Sequence, residues 1–212
     1  PIDPSTCTFQ EEWFDYWDDE GKTPPNFADP RFLFVGANDP SLGKNKRADT
    51  SSIFALAKDR ITGVVYVVIA DVAQRHPDQI IEDVLEANRR LKREFHRPHY
   101  RFGVETVQFQ AYFAEVMRQK AAKLPIVEIN STQNKDARIR SLQPFVKNGY
   151  IKFSKKHKAL LQQMKEYPMA RNDDAPDGLQ MALQLALDIQ GGGEVEYTTV
   201  LHREADFKAG AY

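Results

Sequence analysis

Residues 31–50, which read RFLFVGANDPSLGKNKRADT, decide the fold of this chain. Residues 33–37 form a short apolar run, which is typical of a strand buried on both faces of a sheet. Because Pro40 disfavours a helical conformation at the residue before it, we expect Asp39 to stay extended at the end of this strand. A carboxylate there is costly unless a cation compensates its charge. The stretch predicts either a metal ligand at Asp39 or an Asp-Pro turn that closes the strand.

The composition is that of an ordinary globular protein with no strong field of one sign. The 212 residues include 42% hydrophobic and 28% charged residues, and the formal net charge is −1. This length suits one large domain or a domain with extensions. The single cysteine, Cys7, excludes a disulfide framework. We find no apolar run long enough for a membrane span and no signal-peptide pattern, so we expect neither membrane association nor secretion.

Residues 1–30 are rich in aromatic and acidic side chains. Phe9, Trp13 and Trp17 recur at four-residue spacing, which predicts an amphipathic helix that docks on the core or on a neighbouring domain. The following GKTPPNFADP has the composition of a linker. We therefore expect a globular domain over 31–190, followed by a C-terminal tail over 191–212.

Hydrophobic periodicity predicts an α/β order of elements after the first strand. Two β-rich runs, 51–58 and 63–70, are separated by a four-residue turn, so the first three strands form an antiparallel meander. An amphipathic helix follows over 77–95. A strand over 102–108, a helix and a strand over 126–130 then predict a parallel pair.

The last third of the chain is predicted to be mainly helical. One helix opens at residue 135 and is stopped or kinked by Pro144, and another covers 157–167. A short strand over 151–153 separates them. The final helix, which includes 179–187, is apolar nearly all round and is therefore well buried.

Acids occupy three unusual places in this order. Asp39 ends the first strand, and Glu105 lies inside the fourth strand among apolar residues. Three aspartates crowd the start of the last helix: Asp173, Asp174 and Asp177. Asp174 as the N-cap would explain one or two of them, but three like charges repel unless a cation lies among them.

This layout, a central mixed sheet with three antiparallel strands and then parallel strands, flanked by helices, is that of the RNase H-like fold. In that fold the first and fourth strands are neighbours at the centre of the sheet, so Asp39 and Glu105 converge. Carboxylate oxygens without His or Cys favour hard cations, Mg²⁺ or Mn²⁺. Two such ions about 4 Å apart can activate a water and stabilise the leaving oxygen of a phosphodiester.

The sequence resembles the C-terminal nuclease domain of the terminase large subunit of tailed bacteriophages and prophages. The resemblance rests on blocks in the same order and spacing over 32–187: GANDPSLG followed by DTSSIFAL, GVETVQF, NKDARIRSLQPFVKNGYIKF and NDDAPDGLQMAL. It implies an RNase H-like fold and a metal-dependent endonuclease that cuts concatemeric double-stranded viral DNA during genome packaging. Family members often have His before the paired acids, where this sequence has Asn172.

Matched residue by residue, the resemblance implies Asp39 and Glu105 as catalytic acids, with one acid of NDDAPD as the third. We expect Asp177 to be this third catalytic acid, and we expect Asp39, Glu105, Asp174 and Asp177 to hold two Mg²⁺ or Mn²⁺ ions. We rank Asp177 above Asp174 as the third ligand, because an N-cap side chain turns back toward the N–H groups of its own helix. Asp173 ranks last.

Two basic groups are predicted to bind DNA phosphates, with a solvated charged surface as the alternative for each residue. They are Lys44, Lys46 and Arg47 on the lip after the first strand, and Lys135, Arg138 and Arg140. The resemblance also implies an ATPase domain, a small terminase subunit and a portal protein as partners, in the cytoplasm of the bacterial host. Because no G-x-x-x-x-G-K-[ST] motif occurs, we expect the ATPase domain to lie outside this chain, with 1–30 as the segment that leads from it.

Two rival functions fit parts of the pattern. Another RNase H-like nuclease, such as a resolvase or a transposase-type enzyme, would share the acids and differ in the geometry of its DNA. A catalytically silent domain that only binds DNA or a portal protein would not need Glu105 inside a strand. Cleavage of branched DNA tests the first alternative, and metal titration tests the second.

Overall fold

A computed structural model of the chain describes residues 6–40, 50–105, 110–120, 124–129 and 133–189. Its centre is a seven-stranded sheet in the order β1-β7-β4-β3-β2-β5-β6. The strands are β1 (Asp15–Tyr16), β2 (Phe32–Asp39), β3 (Ser51–Asp59), β4 (Val65–Ala73), β5 (Arg101–Glu105), β6 (Ile126–Ile129) and β7 (Ile151–Phe153).

The sheet is mixed, as the sequence predicted. Strands β2, β3 and β4 form an antiparallel meander. Strand β5 is parallel to β2 and to β6, so the predicted parallel pair and the predicted neighbourhood of the first and fourth strands are confirmed. Strand β7, which the sequence predicted over 151–153, is parallel to β4 on one side and to β1 on the other, so the two residues of β1 form the edge of the sheet.

Helices cover both faces of the sheet. They are α1 (Pro77–Phe95), α2 (Gln110–Lys120), α3 (Lys135–Arg140), α4 (Gln143–Lys147), α5 (Lys158–Glu166) and α6 (Asp174–Leu187). Buried side chains of α1 and α2 form one core with the sheet, and those of α3 to α6 form a second core on the opposite face. Pro144 does not end a helix. It lies in the first turn of α4, where its missing N–H has no intrahelical partner to lose.

Helix α6 lies directly on β2 and β3 because it carries a glycine where it crosses them. A Cβ at Gly178 would lie 2.1 Å from the Oγ of Ser52 and 3.0 Å from the ring of Phe54, so no larger residue fits at this separation. The close approach places the N-terminus of α6 over the start of β3, beside the end of β2. The three aspartates of the α6 N-terminus are therefore carried to the end of the first long strand.

The N-terminal segment differs most from the sequence prediction. Instead of an amphipathic helix, a short 3₁₀-helix, Glu11–Trp13, leads into β1. Phe9 and Phe14 are buried in the core on the α6 face, and Phe27, in the predicted linker, is buried in the other core. The four-residue spacing of the aromatics thus reflects separate contacts of an irregular chain and not one helical stripe.

Several predictions from the sequence fall outside the described residues. They concern the lip with Lys44, Lys46 and Arg47, the continuation of the fourth strand beyond Glu105, and the tail over 191–212. In the described ranges, no helix is both long and apolar enough to cross a membrane.

Candidate active site

Parallel pairing of β2 and β5 brings Asp39 and Glu105 together. Ala37 is the register partner of Gly103, and the two acids lie two residues further along their strands, on the same face as these partners. That face is the α6 face, since a Cβ at Gly103 would lie 2.5 Å from the Cδ1 of Leu185 on α6. Two carboxylates therefore end neighbouring central strands beneath the same helix.

The N-terminus of α6 differs from the predicted cap. The helix begins at Asp174, and Asp173 occupies the N-cap position without a side-chain capping hydrogen bond. The carboxylate of Asp174 accepts a 2.5 Å hydrogen bond from the Thr50 hydroxyl and a 3.2 Å hydrogen bond from the ammonium group of Lys135. The prediction of Asp174 as the N-cap is wrong, and the ranking of Asp177 above it loses its physical basis.

Asp177 is buried and bound by Arg138. Its side chain is 2% exposed, and its two oxygens accept hydrogen bonds from Nε (3.0 Å) and Nη2 (2.6 Å) of Arg138. Nη1 of the same guanidinium lies 3.4 Å from Oε1 of Glu105. Bidentate charge-assisted pairs of this kind are strong and fix geometry. Arg138 thus links an acid of α6 to an acid of β5.

Lys135 lies on the same side of α3 as Arg138, three residues before it. Its Nζ is 2.8 Å from Oδ1 of Asp173 and 3.2 Å from Oδ1 of Asp174. The carboxylate of Asp177 is further away, at 3.9 Å. The two cations therefore point into the acidic cluster.

These contacts bear on the residues that were predicted to bind DNA. Arg138 is buried against acids, so the structure gives no support for its prediction as a phosphate contact. Lys135 remains partly exposed, but its nearest partners are carboxylates. Arg140 is exposed and donates hydrogen bonds to Asp136 (2.8 Å) and to the Thr8 hydroxyl (3.1 Å), neither of which belongs to the cluster.

Burial and charge shape the ionisation of the cluster. Burial raises the pKa of Glu105, and the nearby charge of Asp177 raises this pKa further, while Arg138 and Lys135 oppose the shift. Burial alone would lower the pKa of Lys135, but its hydrogen bond to Asp173 and the surrounding carboxylates outweigh burial and raise this pKa. The charge of Asp39 also acts on both cations.

The donor chemistry of the cluster fits a hard divalent cation. Carboxylates outnumber cations: Asp39, Glu105, Asp173, Asp174 and Asp177 surround Lys135 and Arg138. Such oxygen ligands suit Mg²⁺ or Mn²⁺. Within the described residues, no three His, Cys, Asp or Glu side chains are arranged to hold a metal ion as they stand. The contacts explain this, since the acids of α6 are turned toward α3.

Sequence reasoning missed the hydroxyl groups of the site and the role of its cations. Thr50 holds the side chain of Asp174, and the Ser52 hydroxyl donates a 3.2 Å hydrogen bond to the Asp174 carbonyl. The sequence did contain a signal that Lys135 and Arg138 lie side by side. Asn134 caps α3 by accepting a hydrogen bond from the N–H of Asp136, and a capped helix places residues 135 and 138 on one side.

Comparison with solved structures finds the same fold in viral terminases. The nuclease domain of the human cytomegalovirus terminase, soaked with manganese and bound to an inhibitor, matches with a TM-score of 0.61 and 14% identity over 87% of this chain and 97% of that one. The nuclease domain of the P22 large terminase matches with a TM-score of 0.57 and 14% identity over 85% of this chain and 93% of that one.

A longer protein shares the same fold over part of its length. The HK97 bacteriophage large terminase matches with a TM-score of 0.58 and 13% identity over 85% of this chain, but the match spans only 43% of that protein. No protein-family model and no curated protein sequence match the chain. The structural matches agree with the resemblance seen in the sequence, and at these identities they establish the fold. The chain therefore has the RNase H-like fold of the terminase nuclease domains.

Proposed function

We propose that this chain is the nuclease domain of a terminase large subunit, a metal-dependent endonuclease that cuts concatemeric double-stranded viral DNA during genome packaging. One observation carries the proposal: carboxylates from β2, β5 and α6 come together at the end of the central strands. The shared fold supports it, and a terminase nuclease of that fold has been soaked with manganese.

Asp39, Glu105 and Asp174 would hold two Mg²⁺ or Mn²⁺ ions in this proposal. Such a pair, when bound, supplies an activated water and stabilises the leaving oxygen of the cut phosphodiester. The sequence also predicted Asp177 as a catalytic acid and metal ligand. We now assign its carboxylate to the bidentate pair with Arg138, because the guanidinium that binds both of its oxygens is buried, whereas the cation bound to Asp174 is the partly exposed Lys135.

The remaining residues of the site orient these acids. The Thr50 hydroxyl fixes one oxygen of Asp174, and the N-terminus of α6 favours the negative charge of this carboxylate. Arg138 lies between Asp177 and Glu105 and keeps both at a fixed separation. Glu105 must lose its proton before it can bind a cation, and burial raises the pKa of this carboxyl group.

DNA would lie across the end of the strands where the acids converge. Lys44, Lys46 and Arg47 follow Asp39 in the chain, and we propose that they bind phosphates together with Lys135 and Arg140. Binding through phosphates weakens as salt rises. The same proposal includes an ATPase domain, a small terminase subunit and a portal protein as partners. It also includes the cytoplasm of a bacterial host as the location.

Cleavage of plasmid DNA tests the proposed function. The 212-residue chain should nick and linearise supercoiled plasmid in Mn²⁺, and EDTA should stop the reaction. Asp39→Ala should abolish cleavage, whereas Asp188→Ala, which changes an acid at the far end of α6, should not. Full activity in EDTA or in Asp39→Ala would contradict the proposal. Preference for a four-way junction over linear duplex would favour a resolvase instead.

A further inference from the structure

Lys135 occupies an unusual position for a partly exposed lysine. Its ammonium group is in contact with the carboxylates of Asp173 and Asp174, and it also interacts electrostatically with Asp177 and Asp39. Ordinary surface ion pairs join one cation to one acid, as Lys165 and Glu11 do at 2.5 Å. Lys135 is therefore a shared counter-ion for acids that come from different elements.

Contacts of Asn134 and Arg138 fix the surroundings of Lys135, whereas its ammonium group lies at the end of a long, partly exposed side chain. Asn134 caps the first turn of α3, and the bidentate pair of Arg138 with Asp177 holds this helix against α6. The stem of Lys135 is long, and its side chain is 37% exposed, so the ammonium group can withdraw toward solvent without moving α3. Asp174, by contrast, is 16% exposed and tied to Thr50.

An ammonium group and a divalent cation compete for the same carboxylate oxygens. The lysine head is a compact charge with three donors and imposes no fixed coordination geometry. It neutralises closely spaced acids that would otherwise repel one another in the metal-free protein. A cation bound to Asp174 must replace the contact of that acid with Lys135, and the two positive charges repel if the ammonium group stays.

We propose that Lys135 is a displaceable internal counter-ion, which holds the acidic cluster together without metal and which a divalent cation must expel. This inference rests on the proposed function, because it concerns the same site. It assigns Lys135 a role in setting the affinity for metal, separate from the contact with DNA phosphates that the sequence predicted.

Titration calorimetry with Mn²⁺ alone, in the absence of DNA, tests this role. Lys135→Met should bind Mn²⁺ at least about tenfold more tightly than the unmodified chain, a change that a coulombic interaction near a protein surface can produce. Its melting temperature in EDTA should fall, and the deficit should shrink at saturating Mn²⁺. Lys165→Met is the matched control, since Lys165 is also a partly exposed lysine but pairs with Glu11, outside the cluster. It should leave the affinity for Mn²⁺ unchanged.

Labelling of lysines in the unmodified chain provides a test that no folding defect can obscure. Reaction with an amine-specific reagent, read by mass spectrometry, should be slow at Lys135 in EDTA and should accelerate severalfold when Mn²⁺ is added. Lys165, paired with Glu11, should not respond. Unchanged reactivity of Lys135 on metal binding would overturn the inference.

The outcomes separate this inference from the proposed function. Mn²⁺ binding with equal or weaker affinity in Lys135→Met would overturn the role of Lys135 and leave the metal-dependent function standing. If neither the unmodified chain nor Lys135→Met binds Mn²⁺, the metal-dependent function itself fails, and the inference fails with it.

Discussion

At the residue scale, Arg138 joins the acids of the site more firmly than any other described side chain. Its guanidinium is buried and contacts Asp177 at 2.6 Å and Glu105 at 3.4 Å. A buried charge is stable only while its partner is present, and removal of one partner is much more costly than removal of both. The pair can therefore be tested by comparing single and double substitutions.

We expect Arg138→Met and Asp177→Asn each to lower the free energy of unfolding by about 3 to 5 kcal/mol, because each leaves a buried charge without its bidentate partner. The double substitution should recover much of this loss. Arg138→Lys keeps the charge but not the planar fork, so its free energy of unfolding should lie between those of Arg138→Met and the unmodified chain. Urea unfolding of the four variants measures these values. Additive effects of the two single substitutions would contradict a coupled pair.

Glu105 gives a prediction that depends on pH. Its pKa is raised in the folded protein by burial and by Asp177, so its charged form destabilises the fold. That cost is fully present above the raised pKa and disappears as pH falls below the unfolded value of about 4.3. Glu105→Gln should therefore melt at a higher temperature than the unmodified chain at pH 7, and the difference should vanish near pH 4.

Calorimetry of both proteins in EDTA across this pH range checks the prediction. Arg138 and Lys135, which face Glu105, stay charged over this range, because the carboxylates around them raise the pKa of each. A lower melting temperature of Glu105→Gln at pH 7 would mean that the contact with Arg138 outweighs burial.

At the scale of elements, α6 determines the site because it approaches the sheet so closely. The separation depends on Gly178, where a Cβ would clash with Ser52 and with the ring of Phe54. Asp174 and Asp177 are in the first turn of this helix. Any shift of α6 away from β3 therefore moves the acids away from β2 and β5.

Gly178→Ala should destabilise the protein by about 1 to 3 kcal/mol, the usual cost of forcing an extra group into a packed core. The better helix propensity of Ala offsets up to about 1 kcal/mol of that strain. Gln184→Ala, at an exposed position of the same helix, should change stability by less than about 0.5 kcal/mol. Chemical unfolding compares the two. Plasmid cleavage should fall in Gly178→Ala and stay normal in Gln184→Ala.

The elements also show what the sequence could predict and what it could not. Strands β2 to β5 were predicted because hydrophobic runs and alternation are local signals, and the RNase H-like layout that their order matched placed Asp39 beside Glu105. The N-terminal helix was wrong because Phe9 and Phe14 are buried by contacts with distant residues, which periodicity cannot reveal. The roles of Lys135 and Arg138 were missed for a similar reason: charge alone does not say whether a cation faces DNA or an acid 39 residues away.

At the scale of the whole molecule, two cores enclose one sheet, and the N-terminal segment belongs to both. Phe14 packs against Phe153 of β7 with ring centroids 5.1 Å apart, and Phe27 packs against Phe32, Tyr66 and Phe95 on the opposite face. Residues 15–16 also cover the edge of β7. The sequence placed the start of the nuclease domain at residue 31. By that boundary residues 6–30 are dispensable for folding, whereas their packing in both cores makes them part of the domain.

Deletion of residues 1–30 decides between them. Loss of a buried Phe typically costs about 3 to 5 kcal/mol, and a whole domain is stable by only about 5 to 15 kcal/mol. Because Phe9, Phe14 and Phe27 would be lost together, we expect the chain that begins at residue 31 to lack a cooperative thermal transition and the near-ultraviolet circular dichroism of a packed core. Phe14→Ala in the full chain should fold but lose about 3 to 5 kcal/mol, whereas Glu12→Ala, at an exposed position beside it, should be neutral. If the truncated chain melted at the temperature of the full chain, the predicted boundary would be correct, and the contacts of residues 6–30 with both cores would contribute nothing to stability.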